Sequence, residues 1–183
     1  MGCYGDGGVV FTDNDGWAEL IRSYRIHGKG DNKYDNVRIG MNSRLDTIQA
    51  AILLVKLQAF QEYELDAVNR VAEKYTELLH DVVKTPHIRE GFYSSWAQYS
   101  ILLDSKEQRD GLQAHLKEKE IPSMIYYPKP MHLQKAFEGM DCEYVDLCVT
   151  EDACQRVLAL PMHPYMTEQE IEEVARSIME YDT

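Results

Sequence analysis

The sequence predicts an α/β protein whose C-terminal part is a small α+β domain. Three observations carry this reading. Strand-like and helix-like stretches alternate over residues 84–180, as in mixed layer architectures. The span from Asn42 to Thr85 contains neither Gly nor Pro, so nothing in it punctuates a helix. The first forty residues supply one strand and one helix, too little to enclose a core of their own. Three segments follow: 1–41, a strand, a helix and a loop; 42–82, one long helix or a kinked helix pair; and 83–183, the small α/β domain.

The chain opens MGCYGDGG, with glycines at 2, 5, 7 and 8. A phosphate-binding loop needs a strand before it and a helix N-terminus directly after it. Here a strand follows, and no Gly-Lys-Ser/Thr is present, so the glycines read as a close approach into an edge strand. Val9-Val10-Phe11-Thr12 is that strand, stopped by the turn residues Asp13-Asn14-Asp15-Gly16. Trp17 to Arg25 reads as a helix, with Trp17, Leu20, Ile21 and Tyr24 at helical spacing. HGKGDNKYDNVRIGMNS is polar and glycine-rich, hence a loop.

Ser43-Arg44-Leu45-Asp46 has the Ser-x-x-acid form of a capping box and opens the long helical stretch. Leu45, Ile48, Ile52, Val55 and Ala59 form its stripe, with Leu53, Leu57 and Phe60 beside it. So broad an apolar face packs on more than one neighbour. The period continues from Ala67 to Leu79 through Val68, Val71, Tyr75 and Leu78, with a kink expected near Glu64. After Pro86, the run Ser94 to Leu103 alternates and places Ala97, Tyr99, Ile101 and Leu103 on one strand face. Ser105 with Gln108 caps a helix through Lys119, and Ile121 to Tyr127 reads as a strand stopped by Pro128 and Pro130. Thr167 with Glu170 caps a last helix whose stripe is Ile171, Val174, Ala175 and Ile178.

Nineteen Lys and Arg against 31 Asp and Glu give a net charge of −12. That opposes nonspecific binding to nucleic acid or anionic membrane, while leaving room for a small phosphorylated ligand held by a few local donors. Cys3, Cys142, Cys148 and Cys154 form no CxxC pair and read as free thiols in a reducing compartment. His80, His87 and His115 make no cluster, so no metal is expected, and His163 in Pro-Met-His-Pro reads as structural. The chain opens on no basic region followed by an apolar core, and no apolar run nears the ~20 residues of a membrane helix. A cytoplasmic location is the expectation.

GCYGDGGVVFT, RIHGKGDNKYDNVRIGMNSRLDTIQAAILLVKL, WAQYSILL, IYYPKPMHLQKAF and LPMHPYMTEQEIEEV resemble DegT/StrS-type sugar aminotransferases, with MNSRLDTIQAA the most specific block. These are fold-type I enzymes that use pyridoxal phosphate (PLP) to aminate keto sugars attached to nucleotides. The resemblance implies the C-terminal small domain of such an enzyme, a long dimer-interface helix, and a strand-helix remnant of the large domain. It also implies that the lysine forming the Schiff base with PLP precedes the glycine run. Transamination needs that lysine as imine partner and proton carrier. The ten lysines present, Lys29 and Lys33 among them, sit in polar loops or on helix faces where solvation is expected. The chain by itself is therefore expected to be inactive and to hold no PLP, although the full-length family binds it.

Residue by residue, Asn42 matches the family asparagine that reaches across the dimer to the partner's PLP phosphate; a helix N-cap is its other reading. Arg44 either contacts substrate or caps a partner's surface. Tyr126-Tyr127-Pro128 matches a pocket motif that is often His-Tyr-Pro, so Tyr126 departs from the pattern. Tyr127 and His132 are sugar or nucleotide contacts, or else an aromatic edge of the small domain. His27, in Arg-x-His-Gly, lines the site mouth or is an ordinary loop histidine. Two readings of function follow: the C-terminal portion of an aminotransferase for 3- or 4-keto nucleotide sugars with glutamate as donor, or a non-enzymatic, self-associating interaction module or remnant. Within the first, the closest resemblance is to enzymes making UDP-linked 3-amino-glucuronic acid derivatives. Both predict a homodimer through residues 42–60, because a bare Leu45–Phe60 face exposes a large apolar patch.

Overall fold

The computed structural model of the chain describes residues 4–32, 34–139 and 146–182. Cys3, Cys142, Gly2 and Lys33 lie outside the described residues. The chain divides into two compact units, residues 1–62 and 63–183. The sequence reading places its divisions at 41 and 82 instead.

In the first unit, helix α1 spans Asp15–Tyr24 and helix α2 spans Thr47–Ala59. Asn14 caps α1 by accepting a hydrogen bond from the Trp17 N–H at 3.0 Å. Neither helix buries a residue, and Trp17 stays 63% exposed. The expected strand at Val9–Thr12 does not form: no described strand lies beside it to take its backbone groups, and all four residues are exposed. The nearest substitute for a ladder partner is a side chain. The Gln49 amide accepts from the Tyr4 N–H at 2.8 Å and donates to the Tyr4 carbonyl at 2.5 Å.

Helix α2 begins three residues later than the capping box predicts. The Ser43 N–H is bonded to the Arg25 carbonyl at 2.9 Å, and Asn42 bridges antiparallel to Ile26. Residues 42–43 are thus held extended, and Asp46 takes the cap position without a side-chain bond. Asn42 is therefore not a helix N-cap. After α2 the helical run passes through one π-helical turn, Phe60–Glu64, and continues as α3, Leu65–Leu79. The π turn, an extra residue wound into the helix, falls where the sequence suggests a kink near Glu64.

The second unit holds the core. Helix α3 buries Ala67, Val68, Val71, Ala72, Tyr75 and Leu79, the anticipated period except that Leu79 is buried where Leu78 was expected, Leu78 being only partly covered. Its face packs on α6, Glu168–Asp182, whose buried stripe is Ile171, Val174, Ala175 and Ile178. The cap of α6 is the predicted box in full: the Thr167 N–H and hydroxyl both donate to Glu170 Oε2 at 2.8 Å, and the Glu170 N–H donates to Thr167 Oγ1 at 3.3 Å. Helix α4, Lys106–Glu118, starts where Ser105 accepts from the Gln108 N–H at 3.2 Å, while Gln108 Oε1 reaches back one residue further, to the Asp104 N–H at 2.8 Å.

The sheet is reduced to two antiparallel strands, β1 at Tyr99–Leu102 and β2 at Val157–Leu160, with Tyr99 opposite Leu160 and Leu102 opposite Val157. Tyr99, Ile101 and Leu103 are buried as the alternation requires, but Ala97 is exposed. Trp96 sits in the left-handed region at φ 44°, so regular alternation begins only after it. The strand expected at Ile121–Tyr127 is a single bridge, Met124 to Ala159; Pro122 offers no N–H, and the Ile121 N–H is spent on the Leu116 carbonyl at the end of α4. Helix α5, Cys148–Arg156, and β2 were not anticipated. β2 is the apolar run Val-Leu-Ala-Leu with little alternation, and no Gly or Pro separates it from the helix before it.

Tyr75 and Tyr99 tie the helices to the sheet. Their ring centroids lie 5.1 Å apart, and Trp96 stacks on Tyr99 at 5.5 Å. Each buried hydroxyl has a partner: Tyr75 donates to the Pro161 carbonyl at 3.1 Å, and Tyr99 shares a 2.8 Å bond with Thr76.

Candidate functional site

The first unit brings His27, Asn42 and Arg44 into one backbone clasp. Residues 24–28 run antiparallel to 40–43, held by His27 N–H to the Met41 carbonyl at 3.0 Å and Met41 N–H to the Tyr24 carbonyl at 2.9 Å. Two glycines make the crossing close. A Cβ on Gly28 would stand 1.8 Å from the Arg38 carbonyl oxygen, and one on Gly40 would stand 2.2 Å from the Gly28 nitrogen. Gly28 also takes a φ of 74°, and its neighbour His27 takes 59°.

On this clasp Asn42 Oδ1 accepts from Arg44 Nε at 3.1 Å. That bond fixes the amide's orientation, because the guanidinium can only donate. The Asn42 Nδ2 is then the end that donates, and both residues are exposed. Arg38 Nη1 donates to Ser23 Oγ at 3.3 Å. From Arg22 to Arg44 the sequence carries six Lys or Arg against two Asp, a local charge of 6 − 2 = +4 in a chain of net −12. The clasp can therefore receive an anion through an amide N–H and a guanidinium.

The second unit holds Tyr127 and His132, and it does not bring them to one pocket. His132 lines a cavity of about 740 Å³ with Lys129, Gln134, Lys135 and Glu151, and its Nε2 lies 2.9 Å from Glu151 Oε1. Tyr127 is 67% exposed and meets Tyr126 edge-on, with centroids 5.6 Å apart. Tyr126 faces a separate cavity of about 200 Å³, lined by Gln98, Ser123, Met124 and Pro161.

One polar cluster escaped the sequence reading. Glu64 is 4% exposed, and its carboxylate accepts a hydrogen bond from the Tyr165 hydroxyl. The Tyr63 hydroxyl joins the same cluster, and the Glu64 carboxylate is the main cause that raises the Tyr165 phenol well above the usual range. A glutamate in a helical run signals nothing by itself; only the π turn and the fold of the 161–167 loop bring it to Tyr165.

No described lysine is buried; Lys74, Lys106 and Lys119 pair with Glu77, Asp110 and Glu180. Among the described residues no group of three or more His, Cys, Asp or Glu side chains is placed to hold a metal ion. Among the described residues no helix is long and apolar enough to cross a membrane. Cys148 is exposed and Cys154 buried, both as free thiols.

Comparison with known proteins places these features in context. The model of the DegT/DnrJ/EryC1/StrS aminotransferase family matches residues 1–179. The chain is 40% identical, over 97% of its length, to the Pseudomonas aeruginosa UDP-2-acetamido-2-deoxy-3-oxo-D-glucuronate aminotransferase, of which it covers 48%. Among solved structures it is similar to a DegT DnrJ EryC1 StrS aminotransferase from Brucella abortus, at TM-score 0.90 and 49% identity over 98% of the chain and 47% of that protein. It is also similar to S. venezuelae DesV in complex with a ketimine intermediate, at TM-score 0.88 and 30% identity, covering 99% of this chain and 48% of that one. The chain spans about half the length of the curated relatives it matches.

Proposed function

The chain belongs to the DegT/DnrJ/EryC1/StrS aminotransferase family, and on that premise we propose that it forms part of a PLP-dependent enzyme that aminates a keto nucleotide sugar. The observation that carries this is the Asn42–Arg44 pair on its glycine clasp, in the block of sequence most specific to the family. The proposed substrate is a UDP-linked 3-keto glucuronate derivative, supported by the 40% identity to the P. aeruginosa enzyme that acts on such a sugar, with glutamate as amino donor. A homodimer through residues 42–60 accompanies this reading, supported by the exposure of Ile48, Leu54 and Val55 on α2.

The clasp fits the phosphate end of PLP. Asn42 Nδ2 would donate to the phosphate of a cofactor held by the partner subunit, and Arg44 would place a fixed positive charge beside it. The cofactor, when bound, supplies an electron sink for the carbon being aminated. His27, raised on the left-handed turn, stands at the mouth of that site. Tyr127 and His132 are proposed as separate sugar or nucleotide contacts. His132, oriented by its Nε2–H bond to the Glu151 carboxylate, offers Nδ1 as an acceptor, and Tyr127 offers an exposed hydroxyl. None of the described lysines is buried, whereas a Schiff-base lysine with its amine available at neutral pH needs burial or a cationic neighbour, and this supports the reading that the chain is inactive by itself.

The test is complementation. Co-expressed with the portion of the B. abortus relative that the chain does not match, the chain restores glutamate-dependent amination of a UDP-linked 3-keto sugar. Asn42→Ala then weakens PLP binding roughly tenfold or more, the loss of one hydrogen bond to a charged group. By itself with PLP and borohydride, the chain takes up no stoichiometric label on a single lysine. A stoichiometric adduct on one of its lysines, or a complemented assembly without amination, refutes the proposal.

A further inference from the structure

Between the end of β2 and the segment that follows α4 lies the cavity of about 200 Å³, which the proposed chemistry leaves without a task. Backbone pairing inside the second unit sets its walls. Met124 and Ala159 exchange two hydrogen bonds, at 3.1 and 2.7 Å, and these hold residues 122–126 beside β2. Gln98 joins from the start of β1, next to Tyr99, which pairs with Leu160. Met124, Leu160 and Met162 supply apolar lining, and Met124 stays 54% exposed. Gln98, Ser123 and Tyr126 supply polar side chains. Among the described residues none of these three side chains has a hydrogen-bond partner. The Tyr126 ring is steadied edge-on by Tyr127, so its hydroxyl is placed but unspent.

Size and charge decide what such a cavity can hold. Sites for whole drug-sized ligands run to roughly 300–1,000 Å³, so this one takes a single ring and not an entire nucleotide sugar. Among the described residues no charged side chain lines it. A phosphate or carboxylate would enter without a cation to offset the loss of its water. A sugar ring carries hydroxyls on every side, which Met124, Leu160 and Met162 cannot bond. A pyrimidine base is flat, apolar on both faces and polar only along its edge. The Gln98 amide carries a donor and an acceptor side by side, and the two hydroxyls can each donate or accept. On the premise that the chain belongs to a nucleotide-sugar enzyme, we infer that this cavity receives the uracil ring of a UDP-linked sugar. Gln98 pairs with the imide edge of the base, and Ser123 and Tyr126 bond its remaining carbonyl. Tyr126 occupies the position that is often histidine in the family motif, and it offers a hydroxyl without the charge change of an imidazole near neutral pH.

NMR of methyl and side-chain amide groups in the 183-residue chain, titrated with uridine, tests this without any amination. Uridine shifts the methyl signals of Met124, Leu160 and Met162 and the Gln98 side-chain amide, and the shifts saturate. Adenosine, whose base has two fused rings, and N-acetylglucosamine leave them in place. Gln98→Leu removes both bonds to the imide edge and raises the uridine dissociation constant roughly tenfold. Tyr126→Phe raises it roughly threefold or more, the loss of one neutral hydrogen bond. Both variants keep the wild-type signals of the buried Ile101 and Leu158, which separates a lost response from unfolding. The absence of a saturable shift at these signals overturns the inference, as does wild-type affinity in both variants. N-acetylglucosamine acting in place of uridine also overturns it and marks a site for an acetamido group. Amination by the complemented assembly is scored separately, so a chain that aminates yet ignores uridine loses this site and keeps the family reading.

Discussion

Replacing Gly28 or Gly40 with alanine opens the clasp that carries Asn42. At Gly28 the new methyl meets the Arg38 carbonyl oxygen at 1.8 Å, and at Gly40 it meets the Gly28 nitrogen at 2.2 Å and the Tyr24 carbonyl oxygen at 2.6 Å. All of these are backbone atoms, so no rotamer relieves the contact and the two crossing segments must part. Parting them loses three hydrogen bonds, from His27, Met41 and Ser43 to Met41, Tyr24 and Arg25 respectively. At about 0.5–1.5 kcal/mol each these sum to roughly 1.5–4.5 kcal/mol. The left-handed φ of Gly28 adds about 1–2 kcal/mol for a residue with a side chain. An opening free energy lowered by about 3 kcal/mol raises the open population roughly a hundredfold. Trypsin reads this directly, because Arg25, Lys29, Arg38 and Arg44 all lie in or beside the clasp. Cleavage there rises by about that factor in Gly28→Ala and Gly40→Ala, up to the rate of an unstructured loop. Gly8→Ala, with open space around its Cβ, leaves cleavage unchanged. Wild-type cleavage rates in both clasp variants refute the reasoning.

Two further outcomes follow from the core and from α2. Burial, then the neighbouring Tyr99 and Glu170, raise the Tyr75 phenol well above the usual range, so the unfolded chain loses that proton first as pH climbs. The associated stability is fully present below about pH 10 and drains away above it. Urea midpoints measured from about pH 9 to 11 fall in the wild type and fall less steeply in Tyr75→Phe; equal slopes refute this. On α2, Leu54 and Val55 are 72% and 70% exposed. Leu54→Asp with Val55→Asp forfeits the apolar burial of two side chains, about 1.5–3 kcal/mol each, and raises a dimer dissociation constant at least tenfold. Size exclusion with light scattering checks it, and a wild-type chain that stays monomeric at high concentration refutes the dimer.

How far the sequence could be read depended on whether each residue's partners were close along the chain. Capping signals are local: Ser105 and Thr167 bond groups three residues away, so their helices were placed correctly. The Ser43 box failed because its N–H was claimed from outside, by the Arg25 carbonyl, before a helix could begin. Val9–Thr12 has strand residues without a strand, since a ladder needs a neighbour that sequence propensity does not supply. In the candidate site, Asn42 and Arg44 were visible as a motif, but the reason they meet His27 lies in the backbone crossing at Gly28 and Gly40. Glu64 was invisible for the same reason: its partner stands 101 residues away.

The Gln49 amide that pairs with Tyr4 has a consequence for handling the molecule. It imitates one residue of a neighbouring strand and then stops, so the template it offers is one residue long. Beyond it, Val9, Val10 and Phe11 stand 71%, 66% and 86% exposed, a β-branched and aromatic stretch with no cover among the described residues. Whenever this stretch is uncovered it is an adhesive edge, able to recruit the same stretch of another copy into cross-β stacking. Shelter for these three residues therefore bears on the solubility of the chain alongside its net charge of −12.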